Sequence, residues 1–256
     1  MEFVNAAIKS GKYTGPKSGK AFTIDKDLYK RSQKQAKMLE TVPKADLGRS
    51  TKDKGGKSGS GTTSAAVIVV EGFDTLQCVE WLAVEHGVVN PAVLIFASDS
   101  NPGGSKKGAN LGTQEEAVCR CSTLRPVQEQ LKYPIPHLGL AYVPHVQALL
   151  DNGPREFGAI CAALRLAVSG DVPTGKEMEF LVTKCASILD AAVLGGHKSI
   201  VLGAWGCGAF SNPPEVVAAV FGETIRNGGY DRCFEHIVFA IPNKELRSAF
   251  SKVLTS

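Results

Sequence analysis

Hydrophobic residues in this chain gather into short solid runs, separated by longer stretches in which apolar positions recur every three or four residues. "AAVIVV" (65–70), "AVLIFA" (92–97), "SIVLGA" (199–204) and "HIVFAI" (236–241) are apolar at successive positions, as in strands buried on both faces. "GLAYV" and "GAICAAL" read as two further strands. Between the runs lie helical periods. In "DTLQCVEWLAVEHG", Leu76, Val79, Leu82, Ala83 and His86 share one face. "KEMEFLVTKCASILDAAVLGG" aligns Met178, Leu181, Val182, Cys185, Ile188, Leu189 and Ala192 in one stripe. One helix is predicted from Gln114 to Leu131, another over "PPEVVAAVFGETIRNGG" and a closing one over "NKELRSAFSKVL". Apolar strands alternating with amphipathic helices predict an α/β domain whose sheet is covered on both sides.

Ligands of such sheets bind beyond the carboxyl ends of the strands, where loops enter the following helices. Two loops fit. "SDSNPGGSKKGANLGT" links "AVLIFA" to the helix at Gln114 and is far longer than the usual ~4–6 residues. "WGCGAFSNPP" follows "SIVLGA". Gly103, Gly104, Gly108 and Gly112 in the first, and Gly206 and Gly208 in the second, let backbone N–H groups close on an anion. A pair of such loops points to a ligand with a diphosphate. Glu115 and Glu116 follow the first loop directly. Adjacent helical residues diverge by ~100°, so they do not form a two-carboxylate dyad. One of them, aimed into the cleft, could still protonate the leaving oxygen of a glycosidic bond.

Charge and composition divide the chain. "TKDKGGKSGSGTTS" (51–64) has no apolar residue and reads as a linker. Residues 1–60 carry 14 Lys+Arg against 6 Asp+Glu, so the remainder of a chain with 29 and 25 is net acidic. The expectation is a basic, solvated N-terminal extension with its linker over 1–62, offering a contact to nucleic acid, and a catalytic domain over 63–256. The "GGKS" of the linker is no phosphate loop, because Thr51 stands where the first glycine is needed and no strand precedes it. Seven cysteines without a CxxC pair suggest reduced thiols, a cytoplasmic or nuclear location and no zinc site. The opening residues lack a signal-peptide core and no apolar run approaches ~20 residues, so no membrane association is expected.

The strand and loop "LIFASDSNPGGS", a spacer and then "QEEAVCRCSTL" resemble the signature of microbial-type poly(ADP-ribose) glycohydrolases, within the macrodomain superfamily. "YVPHVQALLD" and "VLGAWGCGAFSNPPEVVAAVF" are similar to two later segments of that family, so the likeness spans about Thr63 to Ile241. It implies a macrodomain-like three-layer α/β/α sandwich with a mixed, largely parallel sheet. It also implies a monomer that cleaves ribose–ribose bonds of poly(ADP-ribose) without metal or cofactor. The nearest alternatives are a hydrolase removing single ADP-ribose units from protein or nucleic acid, and a reader that binds without hydrolysis.

By the same resemblance, Glu116 is the acid/base, and Gln114 and Glu115 order the loop and hold the distal ribose. Asn101, Gly103 and Gly104 contact that ribose and the diphosphate. Gly206, Cys207, Gly208 and Ala209 wrap the diphosphate through backbone amides, Phe210 packs on the terminal ribose, and Asp74 contacts adenine. Ser105 stands on the substrate-facing turn where the family has a third glycine, and its Cβ disfavours the positive φ that glycine would allow. A carboxyl that donates a proton at pH 7 requires burial to raise its pKa.

Overall fold

The structure, a computed structural model, describes residues 2–47, 65–104, 112–165 and 173–255. In chain order the elements are α1 (Glu2–Ser10), β1 (Lys12–Thr14), β2 (Ala21–Thr23), α2 (Lys26–Gln35) and β3 (Lys37–Leu39). Then follow β4 (Val67–Glu71), α3 (Thr75–Glu85), β5 (Ala92–Phe96), α4 (Gln114–Arg120), α5 (Leu124–Gln128), β6 (Leu140–Leu150) and β7 (Gly153–Ala162). The chain closes with α6 (Gly175–Leu194), β8 (Ser199–Leu202), α7 (Pro214–Gly228), β9 (His236–Ala240) and α8 (Lys244–Leu254).

Seven strands make one sheet in the order β3-β6-β7-β5-β8-β9-β4. The pairs from β7 through β5, β8 and β9 to β4 are parallel, while β3, β6 and β7 pair antiparallel. Period-two alternation divides the apolar strands between two cores. Leu94, Ile160, Leu202 and Phe239 face a layer that includes Leu189, Phe221 and Phe250 from α6, α7 and α8. Val93, Ile95, Cys161, Val201 and Val238 face Val79 and Leu82 of α3, Val118 of α4 and Val127 of α5. The three-layer α/β/α sandwich with a mixed, largely parallel sheet is therefore observed. Both faces are covered, which is why the strands read as unbroken apolar runs. Among the described residues no helix is long and apolar enough to cross a membrane.

Three expectations change. The N-terminal segment does not stand apart as a solvated extension. Strand β3 joins the sheet beside β6, with Lys37 opposite Tyr142 and Leu39 opposite Leu140. Tyr13 is buried and donates its hydroxyl to the Leu150 carbonyl at 2.9 Å. The Gln147 side chain accepts from Asp25 N–H at 2.7 Å and donates to the Asp25 carbonyl at 2.8 Å. Val4, Ala7, Tyr13 and Ile24 form a small core completed by Leu149 of β6, too small to stand alone but sufficient once docked on the hairpin. The linker itself, 51–64, lies outside the described residues.

The helix expected from Gln114 to Leu131 is two short ones. Between them Ser122 bridges to Ala148, and Thr123 N–H donates to the Gln147 carbonyl, so the chain is drawn into β-type pairing. Pro126 falls in the first turn of α5, a position where its missing N–H costs little. Finally, β6 continues well beyond "GLAYV". Its register with β7 shifts between Val143 and Val146, and this irregularity accommodates Pro144.

Candidate active site

The site assembles from the carboxyl ends of β5 and β8. After β5, the Ser98 hydroxyl accepts the Asn101 N–H at 3.1 Å, and Gly104 N–H donates to the Asn101 carbonyl at 3.1 Å. This closes a turn in which Gly103 and Gly104 have φ of 71° and 83°. The turn also requires bare glycines for space. A Cβ on Gly103 would stand 2.7 Å from Arg125 Cδ, and one on Gly104 would stand 2.7 Å from Glu116 Cγ. The second glycine therefore presses directly on the carboxyl-bearing side chain.

Helix α4 starts with a reciprocal cap. The Thr113 hydroxyl accepts Glu116 N–H at 3.4 Å, and a Glu116 carboxylate oxygen accepts Thr113 N–H at 3.4 Å. The buried Glu116 carboxyl is thus anchored at a helix N-terminus. Gln114 works as a clamp: its oxygen accepts Phe96 N–H at 2.9 Å, and its amide donates to the Leu94 carbonyl at 2.9 Å and the Thr75 hydroxyl at 3.0 Å. Both amide hydrogens are taken by protein, so loop ordering is its role here and no donor remains for a ribose.

Glu115 is 1% exposed. One carboxylate oxygen accepts Ser98 N–H at 2.8 Å and the other accepts the Gln128 amide at 3.0 Å. Burial pushes this carboxyl up to about 7, aided by the neighbouring Glu116 charge and opposed by those hydrogen bonds. Gln128, itself fully buried, also reaches the Tyr133 hydroxyl at 3.3 Å. Beyond it, Asp99 pairs with Arg165 at 2.5 Å. Desolvation of Asp99 is outweighed by the Ser100 hydroxyl and the Arg165 guanidinium, which hold the carboxyl below its ordinary value.

The second loop is built from backbone. Gly206 has φ 75°, and a Cβ there would meet Leu164 Cδ2 at 2.6 Å and Asn212 Nδ2 at 2.8 Å. Asn212, 1% exposed, donates its amide to the carbonyls of Gly206 at 3.0 Å and Arg165 at 3.2 Å, pinning the loop to the end of β7. Trp205 is fully buried and donates its indole N–H to the Ala162 carbonyl at 3.0 Å. The Cys207 thiol is pushed up to about 12 by burial and then by Glu215.

Six of the expected residues, Asn101, Gly104, Glu115, Glu116, Ala209 and Phe210, border one cavity of about 360 Å³. Asp74 and Gln114 border an adjoining cavity of about 420 Å³, and Phe96 and Thr113 line both. Asp74 also caps α3, accepting Gln77 N–H at 2.8 Å. Gly103, Gly206, Cys207 and Gly208 line neither cavity; the first two shape their turns from behind, and a Cβ on Gly208 would meet open space. Ser105 lies outside the described residues. Sequence reasoning missed Gln128, Arg165 and Asn212. Of these, only Asn212 carried a local signal, as the residue before a proline at a helix start. Among the described residues no cluster of three or more His, Cys, Asp or Glu is placed to hold a metal.

The family described as microbial-type PARG, catalytic domain, matches residues 3–136, more than half of the 256. The chain belongs to that family. It is an α/β enzyme of the poly(ADP-ribose) glycohydrolase type, and the matched span takes in the N-terminal segment as part of the domain. No curated protein sequence matches the chain. Among solved structures, poly(ADP-ribose) glycohydrolase from Thermomonospora curvata is similar at 26% identity with a TM-score of 0.75, covering 97% of this chain and 95% of that one. The same protein bound to the inhibitor ADP-HPD gives 24% and 0.72 over equal coverage. The Deinococcus radiodurans glycohydrolase in complex with ADP-ribose gives 24% and 0.69, covering 88% of this glycohydrolase chain and 96% of that one.

Proposed function

We propose that the chain cleaves the ribose–ribose O-glycosidic bond of poly(ADP-ribose), releasing ADP-ribose, with Glu116 as acid and then base. The observation that carries this reading is the common cavity bordered by the Glu116 carboxyl, Gly104 of the first loop and Ala209 and Phe210 of the second. The solved relatives hold ADP-ribose or ADP-HPD, which supports an ADP-ribose unit as the occupant. The two adjoining cavities together fall within the ~300–1,000 Å³ usual for small-ligand sites.

In this arrangement the adenine end lies toward Asp74 and the distal ribose lies beneath Asn101 and Glu116. From the second loop, Ala209 and Phe210 border the cavity on the opposite side, where the diphosphate would lie. Protonated Glu116 gives its proton to the departing 2′ oxygen as the C1″–O bond breaks, and the ribosyl carbon takes on oxocarbenium character. The resulting carboxylate then accepts a proton from the water that attacks C1″, which restores the acid. Glu115 does not compete for that role. Its oxygens are engaged by Ser98 and Gln128, and its position fixes the loop beneath the ribose.

The test is release of ADP-ribose from poly-ADP-ribosylated protein. The wild type is expected to release it, and Glu116→Gln to lose about 10²–10⁴-fold in rate while still binding ADP-ribose. Undiminished release by the variant rules out the assignment. Release from mono-modified protein alone would transfer the reading to single-unit hydrolysis.

A further inference from the structure

A third cavity, of about 410 Å³, adjoins the acid cavity. It shares Asp99, Ala163 and Arg165 with the acid cavity and no residue with the cavity of Asp74. The three are therefore in series, with the carboxyls in the middle one. One wall of the third carries His137 and Phe180, whose rings stack with centroids 4.5 Å apart and planes 18° from parallel. Pro134, Ile135 and Pro136 form another side, tied to the catalytic loop by Ile135 N–H donating to the Asp99 carbonyl at 2.7 Å. At the junction stands Arg165, with 69% of its side chain exposed even though it pairs with Asp99.

We propose that this cavity is a subsite for the leaving part of the polymer, and that it takes the adenosine of the next ADP-ribose unit. The inference rests on the polymer reading above. The bond broken joins C1″ of the released unit to the 2′ oxygen of the next unit's adenosine, so that adenosine is the first group beyond the acid on the leaving side. An adenine ring placed there continues the His137–Phe180 stack, since every base offers a π face to an aromatic platform. The phosphates attached to that adenosine come within the field of the Arg165 guanidinium, which remains open to solvent on one side. A leaving group with no base, such as a modified side chain of a protein, would leave the stack unused. The subsite thus separates polymer from mono-modified substrates.

The experiment uses the full chain carrying Glu116→Gln, so that ligand is not consumed, and compares binding of free ADP-ribose with a two-unit oligomer joined 1″–2′ by titration calorimetry. The oligomer is expected to bind about tenfold tighter. His137→Ala and Phe180→Ala should each remove most of that advantage and leave ADP-ribose affinity within about twofold. Because Phe180 also packs on the core, Phe180→Leu, which keeps apolar volume and deletes the ring, replaces Phe180→Ala if that variant no longer binds ADP-ribose. Equal affinity for the two ligands, or an advantage that survives the ring deletions, overturns the subsite. A wild-type chain that fails to cleave polymer defeats the parent reading instead, whatever the oligomer does.

Discussion

The loop after β5 and the loop after β8 border the same cavity, yet they carry opposite kinds of chemistry. Around the first stand Asp99, Glu115 and Glu116; the second, residues 203–213, contains no charged side chain at all. The first is held by side-chain clamps, Gln114 on β5 and α3 and Gln128 on Glu115. The second is held by one buried amide, Asn212, and by the anchored Trp205. Turnover and its pH dependence should therefore respond to the first loop and affinity to the second.

The largest effect concerns Glu115. Its carboxyl titrates near 7 in the folded chain, above the ordinary value of 4.5 that an unfolded chain would have. Between those values the folded state holds the proton that the unfolded state has lost. The resulting stabilisation is complete below about pH 4.5, declines as pH rises and is gone above about pH 7. The window is worth about 3 kcal/mol. The difference in unfolding free energy between wild type and Glu115→Gln, followed from pH 4.5 to 8, should fall by that order as pH rises. The second loop has no such group, so a substitution there should give a difference flat in pH. A flat profile for Glu115→Gln would remove the electrostatic half of the contrast.

Next comes Gly104→Ala. The new Cβ meets Glu116 Cγ at 2.7 Å from a backbone of φ 83°, so either the turn or the acid must move. A displacement of this size at the reacting group costs about a hundredfold in kcat. Gly208→Ala is the counterpart, since its Cβ meets open space in the protein. It should leave kcat near wild type. Equal kcat losses at the two glycines would mean that the loops do not divide the work.

Much of this arrangement was legible in advance because it is local in sequence. Buried strands, positive-φ glycines and the acids of a helix's first turn each announce themselves within a few residues. What was missed depends on distant pairing. Strand β3 has three residues, and its meaning comes from β6, about a hundred positions later. Helix α2 buries little beyond Leu28 and Ser32, so its polar sequence gives no sign that it docks against the β6–β7 hairpin. Gln128 sits in a short, proline-containing helix where nothing nearby marks it as the partner of Glu115. The resemblance has Gln114 both order the loop and hold the distal ribose; the Phe96 N–H, the Leu94 carbonyl and Thr75 occupy its amide, which leaves it the ordering part, and none of these contacts can be seen from the "QEE" motif alone.

Asn212→Ala tests the other side of the contrast. It strips the carbonyls of Gly206 and Arg165 of their side-chain donor, although Asn212 N–H still reaches the Gly206 carbonyl at 3.1 Å. Leaving a buried acceptor without that partner costs roughly 1–3 kcal/mol of stability. A cradle loosened to this degree should weaken ADP-ribose binding about tenfold, with kcat at saturating polymer changed much less. The calorimetric Kd and the saturating rate, measured on one preparation, separate these outcomes. A variant with normal Kd and a collapsed kcat would place catalytic work in the second loop.

The smallest effect should come from Cys207, the one titratable side chain of the second loop. Its thiol sits 3.7 Å from the Trp205 carbonyl, at most a weak donor contact, and burial holds its pKa at about 12. At pH 8 only about one thiol in ten thousand is then ionised, so neither nucleophilic attack nor proton transfer at useful rates is open to it. Its backbone N–H donates to the Ala204 carbonyl at 3.2 Å and so closes the loop's own turn, and alanine supplies the same group. Cys207→Ala should therefore keep kcat/KM within about threefold, and wild-type Cys207 should resist iodoacetamide at pH 8, as followed by peptide mass analysis. Rapid alkylation together with a large loss of turnover in Cys207→Ala would give the second loop a reactive side chain, and the division between a chemical loop and a backbone cradle would fail at that residue.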